Sequence, residues 1–187
     1  QEAEAQAVFA DFSYDISEEW TLGLGLRYTE EEKEFAIQNY ASFADKIARD
    51  PVSLSLARDF KDDNLQHKIV LQRNTDFGMV YLSHSTGFRS GGFNARGSTL
   101  QSVGPYNSEE VETIELGLRS ELFDNRVILN VTAFTNDYTD KQEVIVTPAD
   151  GSIVVEGVPQ LCGTTCTFVR NAGEVSIDGL EIEGTLR

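Results

Sequence analysis

Histidine, cysteine and basic side chains are all scarce in this chain of 187 residues. Only 15 Lys and Arg stand against 31 Asp and Glu, a net charge of -16. A nucleic-acid binder needs a basic stripe to neutralise phosphates, so that class is excluded. Two cysteines are too few for a disulfide-rich scaffold. Spaced as Cys162-Gly-Thr-Thr-Cys166, they suit one loop staple in an oxidising compartment. Long apolar runs are missing too: none reaches the length of a transmembrane helix, and no signal-peptide pattern opens the chain. What is present excludes disorder, because 40% hydrophobic and 10% aromatic residues supply a face to bury. The size fits one domain or part of a larger one. Gln1 is not an initiator and Arg187 ends a strand-like segment, so both ends are expected to be cuts.

Period-two alternation dominates the pattern. Trp20, Leu22, Leu24, Leu26 and Tyr28 fall on one face, with Thr21, Gly23, Gly25, Arg27 and Thr29 on the other. That is a half-buried strand and fits no helical template. The run before it places Val8, Ala10, Phe12 and Tyr14 opposite Asp11, Ser13 and Asp15. Further along, Ile114, Leu116 and Leu118 alternate with Glu115, Gly117, Arg119 and Glu121. Val127, Leu129, Val131 and Ala133 oppose Asn130, Thr132 and Asn136. In the last segment Leu180, Ile182 and Leu186 oppose Glu181, Glu183 and Thr185. Residues 65–73 and 77–86 also read as strands, although Val80, Tyr81 and Leu82 leave their facing open. The expectation is an all-β, antiparallel up-and-down meander of about seven strands.

Connections between these strands are alternately short and long. Asp15-Ile-Ser-Glu-Glu19, Arg73-Asn-Thr-Asp76 and Phe123-Asp-Asn-Arg126 carry the Asn, Asp and Ser chemistry of tight reversals. Residues 31–63, 88–107 and 139–173 read as long loops, the first with a short helix around Ser42–Arg49 that ends at Asp50-Pro51. A meander then gathers the tight turns at one end and the long loops at the other, as transmembrane β-barrels do. Alternation alone also suits a soluble sandwich or lipocalin-like barrel. Three features favour the membrane. Trp20 and Tyr28 bracket an aliphatic stretch whose eight steps, tilted by about 40°, span about 20 Å of bilayer normal. The opposite face is consistently polar. An odd number of strands would leave two raw edges, so the chain reads as an arc of something larger.

One segment carries a family likeness: Phe77-Gly-Met-Val-Tyr-Leu-Ser-His-Ser-Thr-Gly-Phe-Arg-Ser-Gly-Gly-Phe-Asn94. It resembles the barrel of TonB-dependent outer-membrane receptors, in which a strand runs into a Gly-Phe-Arg/Lys-x-Gly-Gly-Phe-Asn segment. Tyr106-Asn-Ser-Glu-Glu-Val-Glu-Thr-Ile-Glu-Leu-Gly-Leu-Arg119, Ala133-Phe134 with Tyr138-Thr-Asp140, and Asn171-Ala-Gly173 before Ile177-Asp-Gly-Leu-Glu181 are similar in the same order. The hairpin through Trp20 to Arg27-Tyr28 is also typical. Ser108 departs from the family's usual proline before glutamate. Plug domain, energy-coupling box and terminal strand are expected to lie outside residues 1–187, which makes the chain an interior slice of a barrel of about 22 strands.

The resemblance implies active uptake of a scarce nutrient such as a ferric siderophore, cobalamin or a glycan, energised through TonB in the outer membrane of a Gram-negative bacterium. Its implied partners are outer-membrane lipid, the receptor's own plug domain, the TonB complex through an amino-terminal region, and a small nutrient ligand. No cofactor and no enzymatic activity are implied. A soluble adhesin or glycan-binding module is the competing reading. On the membrane reading, Trp20, Leu22, Leu24, Leu26, Tyr28, Ile114, Leu116, Leu118, Leu180 and Ile182 face lipid. Glu115, Arg119, Glu121, Glu181 and Glu183 face the lumen.

Candidate chemistry is sparse. His67 and His84 fall on different strands, and no serine or cysteine sits in a nucleophile context. Gly87–Gly92 resembles a phosphate loop only superficially, since neither the Lys-Ser/Thr nor a helix follows. Glu30–Glu34, and Asp137 with Asp140, lack the spacing of a calcium loop and read as solvated charge. The two cysteines lack nearby partners for a metal, which leaves a Cys162–Cys166 disulfide as the expected state.

Overall fold

The computed structural model describes residues 1–39, 54–95, 100–124, 126–148, 154–155, 158–159 and 165–186. Its main sheet is antiparallel and comprises β1 (Glu2–Asp15), β2 (Trp20–Asn39), β3 (Leu54–Thr75), β4 (Gly78–Arg89), β5 (Glu109–Leu122), β6 (Val127–Thr139) and β11 (Val175–Leu186). These seven strands pair in chain order, so the expected meander is what the structure shows. Four short strands lie between β6 and β11: β7 (Gln142–Pro148), β8 (Val154–Val155), β9 (Val158–Pro159) and β10 (Thr165–Asn171). They form two small sheets, β7 with β10 and β8 with β9. Among the described residues the only helix is one turn, Leu100–Val103, too short to cross a membrane. The helix expected around Ser42–Arg49 lies outside the described residues.

Tight reversals sit together at one end. Ser17 Oγ accepts from the backbone N–H groups of Glu19 and Trp20 at 3.3 and 3.2 Å and so closes the first turn. The second turn falls two residues later than its Asn-Thr signal suggests: Thr75 pairs with Gly78 across Asp76-Phe77. Gly78 decides this, because its φ of 138° and a Cβ that would lie 2.1 Å from the Arg119 carbonyl oxygen admit only glycine. Phe123 and Asp124 take φ of 56° and 54° at the third, the left-handed conformation that matches strand twist in hairpins.

The first long connection is mostly not a loop. β2 and β3 stay paired as far as Asn39 and Leu54, well past the point where apolar alternation stops at Tyr28 and Leu65. Alternation reports a buried face, whereas a ladder needs only partners and supporting side chains. Here the support includes the Lys61–Glu32 pair at 2.8 Å and an apolar cluster further out. Glu32 also holds the Lys61 ammonium above its ordinary pKa. In that cluster Phe35, Phe93 and Val103 are buried, with Ile37, Leu56 and Phe60 packed on them. Apart from Phe168, no other large apolar side chain among the described residues is buried. The sheet itself therefore has no core of its own.

Candidate functional site

Register assigns every strand residue to a face, since directly opposed residues share one. Leu22 opposes Tyr14 and Leu71, Leu24 opposes Phe12 and Ile69, and Tyr28 opposes Val8 and Leu65. Leu82 opposes Leu71 and Leu116, Leu116 opposes Ala133, and Ala133 opposes Leu180. Val131 links Leu118 to Ile182 in the same way. Trp20, Leu22, Leu24, Leu26, Tyr28, Ile114, Leu116, Leu118, Leu180 and Ile182 thus lie on one face of one sheet. Much of this face is bare: Phe12, Leu116, Leu180 and Ile182 are 65%, 55%, 64% and 65% exposed. The ambiguity at residues 80–82 is resolved, with Val80 and Leu82 on the apolar face and Tyr81 on the other.

Glu115, Arg119, Glu121, Glu181 and Glu183 share that other face. Glu115 opposes Ser83 and Phe134, Arg119 opposes Met79 and Asn130, and Glu183 also opposes Asn130. Two aromatic rings cover glycines here: a Cβ on Gly117 would lie 2.2 Å from the Tyr81 ring, and one on Gly179 2.2 Å from the Phe134 ring. The rings shield backbone that glycine leaves open.

At its outer border the apolar face gives way to polar and charged side chains. Gln6, Glu30 and Asp63 follow Val8, Tyr28 and Leu65, while Glu112 and Asp137 follow Ile114 and Thr135. A polar chain sits on this border. His67 Nε2 is 3.0 Å from His84 Nδ1, and His84 Nε2 is 2.6 Å from Glu112 Oε1. Sequence separated the two histidines onto different strands. The Asp76-Phe77 hairpin brings them together diagonally, because it sets Ile69 opposite His84, and the His67 backbone N–H beyond it donates to Thr86 Oγ1 at 3.0 Å. Their nitrogens satisfy one another, and no metal-binding cluster occurs among the described residues.

The long-loop end is built by hydrogen bonds to the Gly91-Gly92-Phe93-Asn94 segment. Lys33 Nζ donates to Ser90 Oγ and to the Gly91 carbonyl, both at 2.7 Å. A Cβ on Gly91 would meet Tyr106 O at 2.3 Å and the Phe60 ring at 2.6 Å, so glycine is required for the approach. Gly92 bridges Tyr106 through paired backbone bonds of 3.0 and 2.9 Å. Phe93 stacks on Phe35 with centroids 5.1 Å apart and meets Phe60 edge-on at 6.3 Å. Asn94 extends the β10 ladder, donating to Val169 O at 3.0 Å and accepting from Val169 N at 2.7 Å. Buried Gln142 shares its Nε2 donors among the carbonyls of Arg89, Ser90 and Asn107 at 3.0–3.2 Å. Asn171 Nδ2 donates to the carbonyls of Asn107 and Asp140 at 3.0 and 2.6 Å. The sequence marks this segment by family likeness alone and gives no sign of Lys33 or Gln142. Those two act on backbone carbonyls far away in the chain, which no local pattern reveals.

Residues 1–187 match the family model described as TonB dependent receptor-like, beta-barrel. The chain belongs to this family. It is 27% identical, over 96% of its length, to a probable TonB-dependent siderophore receptor, PiuA, of Acinetobacter baumannii, and spans 21% of that protein. Two solved structures share the fold. The ferric yersiniabactin uptake receptor FyuA of Yersinia pestis superposes with a TM-score of 0.72 at 20% identity, over 99% of this chain and 24% of that one. The ferric-catecholate import receptor Fiu of E. coli K12 gives 0.65 at 15% identity, over 99% of this chain and 26% of that one. The sheet is thus part of a TonB-dependent receptor barrel, spanning about a fifth to a quarter of its relatives' length. Family members of this kind are transport receptors, outer-membrane β-barrels of Gram-negative bacteria rather than enzymes. The bare apolar face, the two open edges and the lack of a sheet core agree with a partial barrel wall.

Proposed function

We propose that this chain is an interior stretch of the barrel wall of an outer-membrane receptor that takes up a scarce nutrient through TonB. A ferric siderophore is the favoured class, with cobalamin and glycans as the other members of the set. The observation that carries the reading is the two-faced sheet: an uncovered apolar band on one side, charge on the other, and a built loop cluster at one end only. Ten apolar residues, Trp20 to Tyr28 on β2 with those of β5 and β11, face hydrocarbon. Glu115, Arg119, Glu121, Glu181 and Glu183 face a hydrated lumen that holds the plug domain. Support for the siderophore class comes from the PiuA similarity. TonB is engaged through a region outside this chain, and the small ligand meets the loops.

Iron-limited uptake of labelled ferric siderophores by cells carrying or lacking the full-length receptor tests the function. Uptake that is unchanged by deletion for every siderophore offered, and restored for cobalamin or a glycan, would reassign the substrate. The topology has its own test. Single cysteines near residues 47, 98 and 156 should react with an impermeant label in intact cells, whereas those at 15–19, 73–76 and 123–126 should not. Surface labelling of a tight turn would invert the orientation.

The Cys162–Cys166 disulfide remains part of the proposal, because Cys162 lies outside the described residues. Intact mass of the unreduced receptor should be about 2 Da below the dithiol mass, with little change in global stability on reduction because the closed loop is short. Two alkylatable thiols in the native protein would reject the bond.

A further inference from the structure

An open groove of about 680 Å³ lies beside the Asp76-Phe77 turn, among Trp20, Leu71, Val80, Leu82 and Leu116. All five belong to the apolar face, and the groove runs along it from the end where the tight turns gather towards the middle of the band. The mouth of the groove is charged: Glu19, Arg73 and Asp76 line it as well. Arg73 sits 5.5 Å from the Trp20 ring centroid, a cation–π arrangement that places the guanidinium beside the groove. Its Nε and Nη2 donate to one oxygen of Glu19, Oε2, at 3.1 and 2.9 Å. That geometry leaves the Nη1 donors of Arg73 and the Oε1 acceptor of Glu19 for a second partner. Arg73 and Glu19 are 49% and 58% exposed at their side chains, so a ligand headgroup reaches both.

From this we infer that the groove is a site for one phospholipid with a primary-ammonium headgroup, of the phosphatidylethanolamine type, in the periplasmic leaflet. The inference rests on the proposed membrane placement of the apolar face. An acyl chain lies against Leu71, Val80, Leu82 and Leu116. The phosphate takes the free Arg73 donors, and the ammonium takes Glu19 and Asp76. One cation beside two carboxylates complements a zwitterion with a donating ammonium. It does not complement a purely anionic headgroup, which would meet two carboxylates, nor a trimethylated one, which lacks N–H donors.

Native mass spectrometry of the full-length receptor tests this with three probes added in detergent: phosphatidylethanolamine, phosphatidylcholine and phosphatidylglycerol of identical chains. Wild type should retain the first about tenfold better than either other, the size expected for one charge-assisted hydrogen bond. Glu19→Gln should abolish the preference, whereas Arg73→Gln should lower retention of all three lipids, because each carries the phosphate that Arg73 binds. Heat-modifiable migration identifies folded barrels, and if one variant fails to fold, the other or Asp76→Asn serves in its place. Equal retention of the three lipids by folded wild type would overturn the site, as would stronger retention of phosphatidylglycerol or variants that behave as wild type. A receptor that stays monodisperse in buffer without detergent would instead sink the membrane placement itself.

Discussion

Leu116→Arg is expected to block assembly of the full-length receptor in lipid, while Glu115→Gln leaves assembly intact. The two residues are neighbours on β5 and differ only in face. Leu116 lies between Leu82 and Ala133 in the middle of the apolar band, and it is 55% exposed. A cation at that depth costs about 2–4 kcal/mol in a barrel, or a factor of about 30 or more in the folding equilibrium. Glu115 lies between Ser83 and Phe134 on the polar side, where neutralisation removes charge from a hydrated surface. Folded fraction in vesicles, read by heat-modifiable migration, measures both. A Leu116→Arg variant that folds as well as wild type beside a failing Glu115→Gln would reverse the assignment of faces. A one-residue slip would exchange the two sets, so the pair also tests the β4–β5 register.

A different failure is expected of Phe93→Ala: the barrel assembles, but the loop end loses its structure. Phe93 is 6% exposed and fills the space between Phe35 and Phe60. Truncating a buried phenylalanine costs about 3–5 kcal/mol. Among the described residues the apolar cluster here holds Phe35, Val103 and the half-buried Ile37, Leu56 and Phe60 besides, so little remains to absorb that loss. Residues 90–107 should become cleavable by protease in intact cells, and nutrient uptake should fall while the amount of folded receptor stays constant. Proteolysis indistinguishable from wild type would show that the Lys33, Gln142 and Asn94 hydrogen bonds suffice without the aromatic stack.

The strands between Trp20 and Tyr28, Ile114 and Glu121, and Leu180 and Leu186 were legible because each alternates polar with apolar residues over a band of one thickness. Alternation of period two has only one solution in backbone geometry, and it carries the face of each residue with it. The family segment from Gly91 to Asn94 was legible as a motif but not as a mechanism. Its glycine is needed because the Tyr106 carbonyl and the Phe60 ring come within contact of the place where a Cβ would sit, the first from an isolated bridge ahead of β5 and the second from β3. The outer halves of β2 and β3 look like loop in the sequence because their outward residues are Glu30, Glu32, Lys61 and Asp63, which give no apolar period. Pairing with each other and the Phe35–Phe93 stack keep them in the sheet all the same.

Sequence by itself determined the meander, the two faces and the end at which the tight turns gather, because these follow from local periodicity and turn chemistry. Tertiary structure alone decided what meets across strands. The His67–His84–Glu112 chain, the Arg73–Trp20 groove and the carbonyls gathered by Gln142 depend on register and on contacts between residues as many as 53 positions apart, as in the Gln142–Arg89 bond. Register is set by where each hairpin closes, at Asp76-Phe77 rather than at Asn74-Thr75. That choice turned on whether Gly78 could pass the Arg119 carbonyl, a clash no neighbouring residue in the sequence records.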